Sequence, residues 1–90
     1  MSERRIVGFV VCGTAEHAAE ALRAAVGAAA AGLSVRVLLI DEGAGAIELP
    51  SAARHLGTLR ALGYPVVSGD EARADLPGLL ANCDAVEVWR

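Results

Sequence analysis

The chain has 90 residues, which supports one domain near the small end of the range that folds alone. Hydrophobic residues make up 54% of it, but 19 of them are alanines, so we expect a compact core with closely packed helices. All 8 basic residues are arginines, which excludes Schiff-base enzymes, Walker-type phosphate loops and a lysine general base. A net charge of -3 with 3% aromatic residues excludes the basic, stacking surfaces that bind nucleic acid.

The cysteine and histidine content adds further exclusions. The 2 cysteines and 2 histidines lie far apart and lack zinc-ligand spacing, so no metal or cofactor is expected. Cys12 and Cys83 do not resemble a disulfide framework, and no signal peptide precedes the first predicted strand. The longest apolar stretch, residues 24–33, is too short to span a bilayer. We therefore expect a reduced, soluble, cytoplasmic protein that binds neither membrane nor nucleic acid.

The first elements predicted along the chain are two strands joined by a helix. Residues 6–11 are a continuous apolar run rich in β-branched residues, typical of a strand buried on both faces. Thr14 is placed to cap an amphipathic, alanine-rich helix over residues 15–31, and Gly32 is the expected stop. Residues 34–40 then predict a second strand.

A loop over residues 41–47 is predicted next, followed by a second helix over residues 50–62. Residues 65–68 predict a short third strand. Asp70 can cap a third helical segment, which the Pro-Gly pair at residues 77–78 is expected to split in two.

Residues 84–89 close the chain as a fourth strand, so the order is βαβαβαβ. The connections have the length that right-handed crossovers need. The sequence therefore predicts an α/β fold, a three-layer α/β/α sandwich on a mainly parallel sheet of about four strands. Residues 1–90 form a single domain in this interpretation.

Open α/β sheets bind ligands outside the carboxyl ends of their strands, where this chain concentrates its polar residues. The candidate residues there are Cys12, Gly13, Thr14, Asp41, Glu42, Ser68, Gly69 and Asp70. Because loops are polar in most proteins, the concentration alone does not establish a site.

Cys12 is the sharpest candidate for chemistry. It lies at the turn between a strand and a helix, where backbone N–H groups and the helix dipole favour a thiolate. His17, one turn along the helix, could add a proton acceptor, but its place on the polar face of that helix favours a solvated surface histidine. The competing interpretation is a small buried hydrophobe that ends an apolar strand. A low-molecular-weight phosphatase loop is excluded, because it needs an arginine six residues after the cysteine, where this chain has Ala18.

The remaining polar features have ordinary structural interpretations beside the functional ones. Asp41 and Glu42 could hold a cation or act as an acid–base pair, but such a pair beside glycines is more often a solvated turn. Residues 43–45 do not form a phosphate-binding glycine pattern. Ser68 has no neighbouring base, and Trp89 either anchors a subunit contact or covers its own core.

Segments spread over nearly the whole chain carry a family resemblance: residues 10–14, 21–23, 30–37, 41–44, 62–67 and 82–86. Together they resemble the DsrE/DsrF/DsrH superfamily. The resemblance implies a small α/β protein that assembles into trimers or hexamers, including heteromeric ones. Members with an active cysteine relay sulfur as a persulfide, and that cysteine lies just after the third strand.

The matching position in this chain is Ser68, followed by Gly69 and Asp70. Serine cannot carry a persulfide, and the family includes subunits that lack the cysteine and serve assembly or docking. We therefore expect a DsrE-like oligomer subunit without catalysis of its own, partnered by copies of itself or by related subunits. Two alternatives stay open, a thiol-based sulfur carrier using Cys12 and a small-ligand or nucleotide-binding module using the candidate residues above.

Overall fold

The computed structural model describes residues 4–90. Its elements in chain order are β1 (Ile6–Val11), α1 (Ala15–Ala30), β2 (Ser34–Leu39), a 3-10 helix (Asp41–Glu48), α2 (Pro50–Ala61), β3 (Val66–Ser68), α3 (Gly69–Asn82) and β4 (Ala85–Trp89). The four strands form one parallel sheet in the order β3-β2-β1-β4. The predicted α/β class and its parallel sheet are confirmed.

The topology reverses direction once, at β1. The chain runs outward from β1 to β2 and β3, and then α3 carries it back across the sheet to pair β4 with the free side of β1. Because parallel crossovers are right-handed, this reversal puts α3 on the face opposite α1 and α2. The boundary between β1 and β4 is therefore the topological switch point of the sheet.

Two hydrophobic clusters fill the two faces. The larger one joins α1, α2 and the side chains of Val7, Phe9 and Val11 on β1. The smaller one lies under α3, where Val10 and Leu79 are among the buried members. The alternation along β1 explains the division, because successive strand residues point to opposite faces.

Small side chains shape the helical layer, as the alanine content predicts. The buried face of α1 holds one leucine and four alanines: Ala18, Ala19, Ala21, Leu22 and Ala25. Helix α1 ends beside Gly32, whose φ of 93° is a conformation that glycine adopts without steric cost.

The segment after β2 is a 3-10 helix rather than the predicted loop. The Gly43 N–H donates to the Ile40 carbonyl at 2.9 Å, three residues back, which is the 3-10 spacing. Ala46 is buried in the larger cluster, so the segment is packed against the sheet. Gly43 suits the segment because a side chain at that residue would meet the Val11 backbone and hold the segment away from β1.

Helix α3 is continuous, and the predicted break at residues 77–78 is wrong. Pro77 lies inside it, while Leu79 belongs to the smaller cluster and Leu76 packs against it, so both halves of the helix are held on the sheet. Pro77 is exposed, so the carbonyl that its missing N–H leaves unpaired can bond to water. Asp70 is in the first turn instead of capping the helix, because the helix begins at Gly69, two residues before the start that an Asp70 cap would give; Ser68 holds the N-cap position but makes no side-chain capping bond.

The helices of residues 4–90 are also informative about membranes. None of those described has the length and apolar character that crossing a bilayer requires.

Candidate functional site

The candidate residues lie along one edge of the sheet, which we call the carboxyl edge and define as residues 12–14, 41–42 and 68–70. Residues 12–14 follow β1, residues 41–42 follow β2, and residues 68–70 begin with the last residue of β3. Since neighbouring strands are about 4.8 Å apart, the residues after β3 lie roughly 10 Å from those after β1. The strand order thus brings all eight residues to one edge, but as a row and not as one cluster.

The turn after β1 is closed by the end of β4. The Trp89 carbonyl accepts hydrogen bonds from the N–H groups of Cys12 at 2.8 Å and Gly13 at 3.2 Å. A Cβ on Gly13 would lie 2.3 Å from the carbonyl carbon of Arg90, so glycine is needed for this close approach. The chain's own backbone therefore fills the switch point, where sheets of this kind bind ligands.

Thr14 acts as the helix cap that the sequence predicts. Its side-chain oxygen accepts the His17 N–H at 3.2 Å, at the start of α1. This bond satisfies one of the orphan donors of the helix and engages the hydroxyl in a structural role. Together with the closed turn at Gly13, it weakens the hypothesis of a nucleotide site at this turn.

His17 does not partner the Cys12 thiol. Its ring centroid lies 5.4 Å from that of Trp89, and its Nδ1–H donates to the Arg90 backbone oxygen at 2.6 Å. Trp89 packs against the larger cluster, whereas Cys12 packs against the smaller one. The imidazole and the thiol are thus associated with opposite faces of the sheet. Trp89 covers its own core, which favours the structural interpretation of that residue.

The two cysteines differ in position along the same face. Cys12 is half-buried at the carboxyl edge, and Cys83 is half-buried at the opposite end of the sheet. Burial raises the pKa of the Cys83 thiol; the Arg36 guanidinium opposes that shift and the Asp84 carboxylate adds to it. Cys83 is therefore a protonated, weakly nucleophilic thiol at neutral pH.

Asp41 links the carboxyl edge to α3. Its carboxylate pairs with the Arg73 guanidinium, and both side chains are largely exposed. The Asp41 backbone has a φ of 51°, the left-handed region that aspartate tolerates better than most residues. The partner of Asp41 is thus a cation of the same chain. No group of three or more histidine, cysteine or acidic side chains converges as a metal site within residues 4–90.

Ser68, Gly69 and Asp70 lie at the outer end of the row. Ser68 is the last residue of β3 and is half-buried, and it makes no side-chain capping bond to α3. Gly69 has a φ of 69°, which lets the chain turn directly from strand into helix. The Ser68 hydroxyl thus stands at the carboxyl edge with no helix-capping role.

The structure also contains a groove that the sequence interpretation missed. It has a volume of about 520 Å³ and lies between α3 and the adjoining parts of β2 and β3. Arg36 and Asp75 line it together with apolar side chains. One signal was visible in the sequence, since Arg36 is the sole charged residue of a strand that is otherwise apolar after Ser34.

Comparisons with protein-family models, curated proteins and solved structures gave no match to this chain.

Proposed function

We propose that this chain is a non-catalytic, cytoplasmic subunit of a DsrE-like oligomer, a trimer or hexamer that supports a sulfur-handling or related complex. The observation that carries the proposal is Ser68. It ends β3 at the carboxyl edge, the position at which the resemblance expects the relay cysteine. A hydroxyl cannot take up sulfane sulfur, so this position cannot itself take part in a relay.

The positions of the two thiols support the same conclusion. Cys12 follows β1, separated from the end of β3 by the whole width of β2. Cys83 lies at the other end of the sheet, and burial raises the pKa of its thiol. Neither residue stands in for a cysteine at position 68.

Exposed apolar side chains support assembly. Leu80 on α3 and Val88 on β4 are each 55% exposed. β4 is an edge strand with backbone groups unpaired on one side, a feature that promotes association with another chain. Burying such surface in a subunit contact would also supplement the small core of a chain of this length.

Light scattering at micromolar concentration tests the assembly. We expect a trimer or larger for the wild type and a lower mass for Leu80→Ser and Val88→Ser. Leu62→Ser is the matched control, because Leu62 is 54% exposed but follows α2 on the other face of the sheet. A strict monomer in the wild type would refute the proposal.

The Ser68 position is tested by restoring a thiol to it. We expect Ser68→Cys to gain one sulfur atom from a persulfide donor, read by intact mass and peptide mass spectrometry, while the wild type gains none. Ala74→Cys supplies an exposed thiol on α3 as the matched control. Equal loading of both variants would argue against a relay position at residue 68.

One observation favours the alternative of a thiol carrier. Cys12 is half-buried rather than buried, and it lies at the carboxyl edge beside the start of α1. Alkylation rates against pH, with Cys83 as internal control, distinguish the two functions. Rapid modification of Cys12 near neutral pH, with Cys83 protected, would support the carrier and count against a non-catalytic subunit.

A further inference from the structure

The groove under α3 is separate from the carboxyl edge and has no part in the proposed function. Its volume of about 520 Å³ falls within the range of roughly 300–1,000 Å³ that is typical of small-molecule sites. Leu38 and Leu79 are buried residues of the smaller cluster that reach its surface, and Val67 packs beside them. The groove therefore offers an apolar floor to a ligand.

The groove is open because small residues of α3 line it. A Cβ on Gly78 would have no heavy atom within 4 Å, so free space lies beside the helix at this point. The side-chain nitrogen of Asn82 donates to the Gly78 carbonyl at 2.7 Å, which fixes one part of the rim. β3 has only three residues and pairs with residues 37–39, so the start of β2, where Arg36 lies, has no strand beside it on that side among the described residues.

Two side chains of opposite charge line the same groove. Arg36 comes from β2 and Asp75 from α3. Within residues 4–90 the ion pairs closer than 4.0 Å join Arg23 to Glu20 and Arg73 to Asp41. The charges of Arg36 and Asp75 are thus not paired with each other. The Asp84 carboxylate, just before β4, accepts a hydrogen bond from the Ile6 N–H at 2.7 Å.

We propose that this groove binds a small zwitterion with an apolar body, either a free apolar amino acid or a dipeptide. The ligand carboxylate faces Arg36 and the ammonium group faces Asp75. The apolar side chain lies on the surface made by Leu38, Val67 and Leu79. A groove that carries one positive and one negative group favours a ligand that carries both charges over one that carries a single charge.

NMR titration of the ¹⁵N-labelled chain tests the proposal with L-leucine and leucyl-leucine as probes. We expect amide shifts concentrated at residues 67 and 79. N-acetyl-leucine lacks the ammonium group and leucine methyl ester lacks the carboxylate, so each should bind about three- to tenfold more weakly. Arg36→Gln and Asp75→Asn should weaken zwitterion binding by a similar factor. Whichever of L-leucine and leucyl-leucine binds with the lower Kd then identifies the ligand as a free amino acid or a dipeptide.

A blocking variant confines the test to the groove. Gly78→Leu should abolish the shifts, while Gly57→Leu should preserve them. Gly57 is the matched control because it is also a helical glycine with no neighbour within 4 Å of its Cβ position, but it belongs to α2. The proposal is overturned by a wild type that shows no groove shifts at tens of millimolar probe. It is also overturned if N-acetyl-leucine and leucine methyl ester bind as tightly as L-leucine. A lower oligomeric mass for Gly78→Leu but not for Gly57→Leu would overturn it too, because the groove would then be a subunit contact.

Discussion

Replacing Gly43 by alanine should destabilise the fold although glycine is normally the poorer helix former. A Cβ at this position would lie 2.4 Å from the Val11 carbonyl oxygen and 3.0 Å from its carbon. Both are backbone atoms of the central strand, so no side-chain rotation relieves the contact. The same Val11 oxygen accepts the Ile40 N–H at 2.9 Å, and moving it strains the bond that joins β1 to the end of β2.

The magnitude follows from two opposing effects. Alanine gains about 0.5–1 kcal/mol over glycine in helical backbone, while overpacking of this kind costs about 1–3 kcal/mol. We therefore expect a net loss of about 1 kcal/mol in the free energy of unfolding, or about 4–8 °C in Tm for a domain of this size.

Urea denaturation followed by circular dichroism measures the difference, with Gly45→Ala as the matched control. Gly45 lies in the same 3-10 helix, but its Cβ position is 3.5 Å from the Ala15 side chain, an ordinary contact. Gly45→Ala should be neutral or stabilising. Equal stability of the two variants would refute the argument that Gly43 is required by its approach to β1.

Three further predictions concern other parts of the chain. Gly8→Ala should lower the free energy of unfolding by about 1–3 kcal/mol, because its Cβ would lie 2.7 Å from the Leu79 side chain. In a double-mutant cycle, adding Leu79→Ala should recover part of that loss, and strictly additive effects would contradict the proposed contact. Asp41→Gly should be more stable than Asp41→Ala by about 1–2 kcal/mol in the free energy of unfolding. Both variants lose the ion pair with Arg73, but only alanine is strained at a φ of 51°. Equal melting temperatures of the two variants would exclude that strain. Because the pKa of Cys83 is raised in the folded chain, the thiol ionises at lower pH in the unfolded chain than in the folded one, so stability should hold below about pH 8.5 and fall above it. Chemical denaturation of Cys83→Ala over the same pH range should show a shallower fall. Identical pH profiles for the two proteins would exclude a contribution of Cys83 ionisation to stability.

Much of the fold was predictable because the strong patterns are local. The continuous apolar run over residues 6–11, rich in β-branched residues, fits a parallel strand covered on both faces, and the alternation of strands and helices then indicated the class of fold. Thr14 was recognisable as a cap because its position before an alanine-rich helix leaves few other roles. Each of these inferences needs no knowledge of distant residues.

The errors have a common cause in tertiary packing. Pro77 is a helix breaker by local chemistry, yet burial of Leu79 keeps α3 in one piece. His17 follows Cys12 closely in sequence, but contact with Trp89, which is remote in sequence, determines where the imidazole lies. The groove was missed because Arg36 and Asp75 come to line the same groove only when α3 packs on the sheet.

The pairing of β4 with β1 has a consequence for the order of folding. β1, β2 and β3 can assemble one after another, since β2 and β3 each join the strand that immediately precedes them in the chain. β4 must instead return to the first strand, and the Asp84 side chain that meets the Ile6 N–H is separated from it by 78 positions. Closing so long a loop is slow compared with the earlier steps. Until it closes, one edge of β1 is open to other chains, so the period in which a newly made chain is most exposed to misassembly ends only when its final strand docks.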